Sequence, residues 1–87
     1  MTAEQEAEAY IGSIWRREYR GRVLEYTVLG WTYGHRETRS RWPMLRILMG
    51  SGNLSYSQPR WIVRNCQPVN DTALTIAEHE KERAGNG

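Results

Sequence analysis

The stretch Arg22–Tyr33, RVLEYTVLGWTY, decides how this chain folds. Leu24, Tyr26 and Val28 fall on one side of an extended backbone and Glu25 and Thr27 on the other, the period of two of a half-buried strand. Val, Thr, Tyr and Trp suit a pleated surface. Twelve residues exceed the usual strand of about five or six, so the strand is expected to bend. Gly30 is the place for the kink or bulge. One long bent strand among short ones predicts a small barrel.

Outward from that strand the chain is punctuated by turns. Thr2-Ala-Glu-Gln5 has the form of a capping box and opens a short helix within residues 1–10, expected to dock through Tyr10 and Ile11. Gly12–Arg17 reads as a first strand with Ile14 and Trp15 as its apolar content, and 17–22 as a turn around Gly21. Residues 34–41, GHRETRSR, are polar and aperiodic and read as a surface loop. Trp42-Pro43 leads into a third strand, Met44–Met49, with Leu45, Ile47 and Met49 inward. Gly50-Ser-Gly-Asn53 is a turn. Leu54–Arg60 reads as a loop with a brief strand near Tyr56, and Trp61–Asn65 as a fourth strand. Cys66–Val69 is read as a 3₁₀ turn or a short closing strand. Asn70, Asp71 and Thr72 offer N-caps for a helix over 73–83.

The chain of 87 residues therefore divides into a short N-terminal helix (1–10), a β unit (11–69) and a C-terminal helix with a frayed tail (70–87). The fold class expected is mainly β: a five-stranded antiparallel barrel, the closed form that removes the edges of so small a sheet.

The net charge of +2 conceals a segregation. Residues 1–10 hold Glu4, Glu6 and Glu8 without a cation. Residues 11–65 hold ten arginines against Glu18, Glu25 and Glu37. Residues 66–87 return to acidic, with Lys81 and Arg83 against Asp71, Glu78, Glu80 and Glu82. A basic β unit between acidic ends attracts polyanions; equally, the acidic ends can fold over it or meet a neighbouring copy. Four Trp and five Tyr with no Phe serve either as core or as a binding face.

Several chemistries find no support. Cys66 is the single cysteine, which excludes an internal disulfide and fits a reducing compartment. One Cys and the distant His35 and His79 form no tetrahedral metal set, and no phosphate-cradling glycine motif occurs; neither metal nor cofactor is expected. His35 reads as a solvated loop residue, His79 as solvent-facing, and Cys66 as core, so no enzyme is expected. No stretch approaches the roughly 20 apolar residues of a membrane span and the acidic start lacks a signal-peptide layout; a cytoplasmic location follows as the expectation.

Gly12-x-x-Trp15, Tyr26-x-Val28 and Trp61-x-x-Arg64 followed by Pro68-Val69 together resemble small SH3-like barrels, in particular compact bacterial and phage barrels. The Arg- and Gly-rich composition is similar to that of actinobacterial phage genes. The resemblance spans roughly residues 11–69 and implies a non-enzymatic binding module, since such barrels include nucleic-acid-associated, reader and phage structural or host-takeover proteins. The chain lacks the acidic first loop and adjacent tryptophans of Pro-rich-ligand SH3 domains.

The surface expected to carry binding combines 35–42, HRETRSRW, with 54–61, LSYSQPRW. Arg36, Arg39, Arg41 and Arg60 supply bidentate phosphate contacts, and Trp42, Tyr56 and Trp61 supply stacking platforms. A nucleic-acid partner is the first reading. The alternative is a protein partner, a host factor or further copies of the chain, because Arg, Trp and Tyr also dominate interface hot spots; Trp31 and Tyr33 would then join the patch.

Overall fold

The computed structural model describes the backbone of residues 2–35 and 38–85, and the side chains of 2–34 and 41–83. The element order is α1 (Ala3–Ala9), β1 (Ile14–Tyr19), β2 (Arg22–His35), β3 (Thr38–Met49), β4 (Leu54–Ser57), α2 (Pro59–Asn65), β5 (Gln67–Pro68) and α3 (Asp71–Gly85). The strands form one antiparallel five-stranded sheet in the order β4-β3-β2-β1-β5. Among the described residues β4 and β5 do not pair, so strand pairing does not close the sheet into the expected barrel.

The long strand is the centre of that sheet, as its pattern predicts. It runs two residues further than expected, to His35, and slips register between Val28 and Gly30 and again between Thr32 and Gly34. The first irregularity sits at the expected glycine. Beyond it, residues 34–35 and 38–41 are strand rather than loop. Gly34 pairs with Arg39 and His35 with Thr38, so these residues are the ends of two long hairpin arms, and β3 starts at Thr38 rather than Met44; residues 36 and 37 lie outside the described residues. The β1–β2 connection is also tighter than expected. Tyr19 pairs with Arg22, leaving Arg20 (φ 50°) and Gly21 (φ 75°) as a two-residue turn. Two successive positive φ values match the right-handed twist of the flanking strands.

Trp61–Asn65 is a helix, not a strand, and this is the largest local correction. Gln58 stands at its N-cap position without a side-chain capping bond and Pro59 sits at its start, where a fixed φ and a missing N–H cost nothing. Ile62 and Cys66, four apart, are both buried, so the segment satisfies a 3.6-residue period as well as the alternation read from WIVR. The brief strand near Tyr56 is β4, and of the two readings for 66–69 the structure has the short strand, β5, which pairs antiparallel with β1 at the edge of the sheet.

Both terminal helices dock on their own sheet. The capping box at Thr2 and Gln5 forms in both directions. Helix α1 buries Ala7 and, at its C-cap, Tyr10; Ile11 is exposed. The Trp31 indole N–H donates to Glu8 Oε1 (3.1 Å), and the Tyr33 hydroxyl donates to the Glu4 carboxylate. Asn70 anchors α3: its Oδ1 accepts from the backbone N–H of Ala73 (3.0 Å) and of Ile14 (3.1 Å), and its Nδ2 donates to the Gly12 carbonyl (2.9 Å).

The core lies between the sheet and the helices. Trp15, Tyr26, Val28, Leu45 and Ile47 from the strands meet Ala7, Tyr10, Ile62, Cys66 and Ala73. Tyr10 stacks on Trp15 with ring centroids 6.2 Å apart. The Trp15 indole N–H donates to Ser13 Oγ (2.8 Å), which donates to the Tyr10 carbonyl (2.6 Å), so the polar edge of a fully buried ring is satisfied. The result is thin, 37 × 34 × 20 Å, as a sheet covered on one face requires. Among the described residues no helix is long and apolar enough to cross a membrane.

Candidate binding surface

On the core-facing side of β1, side chains two apart point the same way, which sets Trp15, Arg17 and Tyr19 in line. Trp15 is buried; Arg17 and Tyr19 run out toward the turn, and Tyr19 is 44% exposed. Helix α2 crosses this line and lays Trp61, 38% exposed, on the other side of Arg17. The Arg17 guanidinium carbon is 4.8 Å from the Tyr19 ring centroid and 5.0 Å from that of Trp61. Arg20, in the turn, lies 5.2 Å from the Tyr19 ring centroid. Trp61 also meets the buried Tyr26 edge-on, 6.3 Å between centroids. The rings and guanidinia thus form one ladder: Tyr26, Trp61, Arg17, Tyr19, Arg20. It starts in the core and ends in solvent.

Chemically the ladder presents flat π faces interleaved with fixed cations. Each Arg–aromatic contact contributes about 0.5–1 kcal/mol where exposed and pre-orders the guanidinium. Arg60, the residue before Trp61, and Arg64, three after it, are exposed on α2 and extend the positive charge along the helix. Among the described residues the ion pair at salt-bridge distance is Arg83 with Glu80 (3.8 Å). Arg16, Arg17, Arg20, Arg22, Arg41, Arg46, Arg60 and Arg64 therefore have no carboxylate at that distance, and their charge is open to an external anion.

The residues expected from sequence are divided by the structure. Trp42, 64% exposed, and Arg60 line one groove of about 400 Å³ with Ala3, Glu6 and Pro59. Tyr56 and Trp61 line a second of about 410 Å³ with Tyr26, Met44 and Met49. Gln58 borders both, so Trp42 and Arg60 share one groove, Tyr56 and Trp61 share the next, and the two grooves adjoin. The first groove carries the Glu6 carboxylate, which opposes a phosphate there. Arg41 is exposed at the β3 arm. Arg36 lies outside the described residues, and the Arg39 side chain does as well. Trp31 and Tyr33 are engaged with α1 through Glu8 and Glu4. Arg17, Tyr19 and Arg20 were absent from the expected set because 17–22 read as a turn. The signal available was the R-x-Y spacing, which places both side chains on one strand face.

The titratable groups with shifted affinities lie away from the ladder's outer end. Burial pushes the Cys66 thiol up to about 11, against a lowering by Arg17. That is the reverse of an activated nucleophile. Burial likewise raises Tyr10. The hydrogen bond from Tyr33 lowers Glu4, and the same bond raises Tyr33.

No family model, curated protein or solved structure matches the chain.

Proposed function

We propose that this chain is a non-enzymatic binding module that holds single-stranded nucleic acid on the Tyr19–Arg17–Trp61 ladder. The observation that carries the reading is the ladder itself, two half-exposed rings bracketing a guanidinium and flanked by Arg20, Arg60 and Arg64 with no carboxylate at salt-bridge distance. Bases stack on the exposed ring faces, each worth about 1–3 kcal/mol. Phosphates pair with the arginines, bidentately where geometry allows. A duplex hides its base faces and engages the arginines alone.

The strand order supports a finer reading of the fold. A four-strand meander whose first strand also pairs with the last, with a helical turn between β4 and β5, is consistent with an SH3-like barrel in which α2 spans the gap.

The test is fluorescence anisotropy of labelled single-stranded RNA, single-stranded DNA and duplex DNA at two salt concentrations. Tyr19→Ala is expected to weaken single-strand binding by roughly tenfold or more with little effect on duplex. Arg64→Ala is expected to weaken all three and to reduce the salt slope on single strands by about 0.7. Binding confined to low salt, or indifferent to Tyr19→Ala, overturns the reading.

A further inference from the structure

Among the described residues all three helices pack on one face of the sheet and none on the opposite face. Its centre is a row that crosses four strands: Ile14 pairs with Thr27, Thr27 with Leu48, and Leu48 with Leu54. Leu48 is 38% exposed, Leu54 54%, and Leu29 beside the row 44%. Isolated exposed leucines need no explanation, but cross-strand partners stand about 5 Å apart at Cβ, so Leu48 and Leu54 adjoin and, with Ile14 across Thr27, form one mainly apolar stripe. Charge of both signs borders it. Arg46 lies two residues before Leu48 on β3, and Glu25 two residues before Thr27 on β2. Because the strands are antiparallel, Arg46 and Glu25 fall on opposite sides of the stripe, each about 6.7 Å from it. Glu25 is opposite Arg16 in register yet makes no ion pair at salt-bridge distance with it.

We propose that this face binds a second copy of the chain about a two-fold axis lying along the stripe. Rotation about that axis returns each strand to its own counterpart and reverses its direction. Leu48 then meets Leu48 and Leu54 meets Leu54. Arg46 comes over Glu25 of the second copy, one strand spacing (about 4.8 Å) to the side, and the mirror contact forms at the same time. Arg46 lies on one side of the axis, and Glu25, Glu18 and Arg16, net negative together, lie on the other, so the face is self-complementary, as an isologous interface must be. A polyanion or an anionic membrane would meet Glu18 and Glu25 as well as Arg16 and Arg46, with no net positive charge to hold it. The ladder lies on the covered side of the sheet, so the dimer leaves it open and doubles it.

Sedimentation velocity over a range of concentrations tests this. The expected result is a monomer–dimer equilibrium between the 10.2 kDa chain mass and twice that mass. Leu48→Glu, at a half-exposed position whose fold circular dichroism verifies, is expected to leave monomer throughout. Arg46→Glu and Glu25→Arg are each expected to weaken the dimer by about tenfold or more, and their combination to restore it. A wild-type chain that stays monomeric at millimolar concentration, a dimer indifferent to Leu48→Glu, or a charge swap without restoration overturns the proposal. A monomeric wild type would assign the stripe to a different occupant. None of these outcomes bears on the Tyr19→Ala test.

Discussion

Replacing Asn70 with Ala removes one side chain that ties three parts of the chain together. The amide caps α3 at Ala73, satisfies the part-buried N–H of Ile14 at the start of β1, and donates to the Gly12 carbonyl before it. Loss of an N-cap costs about 1 kcal/mol. Leaving a part-buried backbone N–H without a partner adds about 1–2 kcal/mol, and the Gly12 bond, being exposed, adds little. The total is about 2–3 kcal/mol. For a domain of this size each kcal/mol lowers Tm by about 4–8 °C, so a fall of about 10–20 °C is expected. Asn70→Asp separates the contributions. It keeps both acceptor bonds and suits the helix N-terminus, but loses the donor to Gly12 and sets a carboxylate near that carbonyl, for an expected loss of about 1 kcal/mol. Urea denaturation of wild type, Asn70→Asp and Asn70→Ala is the assay, with equal m-values required for comparison. If Asn70→Ala costs less than about 1 kcal/mol, or Asn70→Asp costs as much as Ala, the account of this residue as a three-way tie is refuted.

Other outcomes follow from the same geometry. Ile62→Ala, at a fully buried position on α2, is expected to cost about 2–5 kcal/mol by denaturant titration, whereas Arg64→Ala, two residues on and on the exposed side, should stay within about 0.5 kcal/mol. Gly21→Ala places a Cβ at φ 75° and is expected to cost about 1 kcal/mol, although no neighbouring atom obstructs it. The raised Cys66 thiol is neutral in the fold while its unfolded counterpart ionises earlier. Its contribution to stability is therefore complete below the ordinary thiol value near 9 and is lost as pH climbs through about 11; Cys66→Ala should flatten that alkaline slope in thermal melts. The Glu4–Tyr33 contact has the opposite edge: lowered Glu4 contributes above the usual carboxylate range and loses that contribution as pH falls through its folded value. Glu4→Gln should remove this acid dependence from amide exchange in α1.

Some of the architecture is legible because it rests on local chemistry. The Thr2–Gln5 box, the period of two in Leu24, Tyr26 and Val28, the bend at Gly30 and the cap at Asn70 each depend on residues within a few positions, and each forms as read. Trp61–Asn65 reads as a strand because WIVRN fits both periods; five residues cannot separate 2 from 3.6. What selects the helix is the buried pair Ile62 and Cys66 beneath it. The hairpin arms at 34–41 were misread for a related reason. Polar residues there mark exposure, and exposure is compatible with an outer hairpin as well as with a loop. Of the candidate surface, Trp61, Arg60, Tyr56 and Trp42 were named from their types, while Arg17 and Tyr19 were hidden in an assumed turn.

By itself the sequence determined the central strand, the caps, the single free thiol and the placing of ten arginines between two acidic ends, because composition and short-range periodicity are properties of the chain alone. Only the tertiary structure decided which side chains meet. It set Trp61 against Arg17 and Tyr19, turned Trp31 and Tyr33 to the carboxylates of α1, left the sheet open and gathered every helix on one face. Those outcomes depend on contacts between residues far apart in sequence. Such contacts form where apolar area is buried and polar atoms stay paired, and no local pattern encodes them.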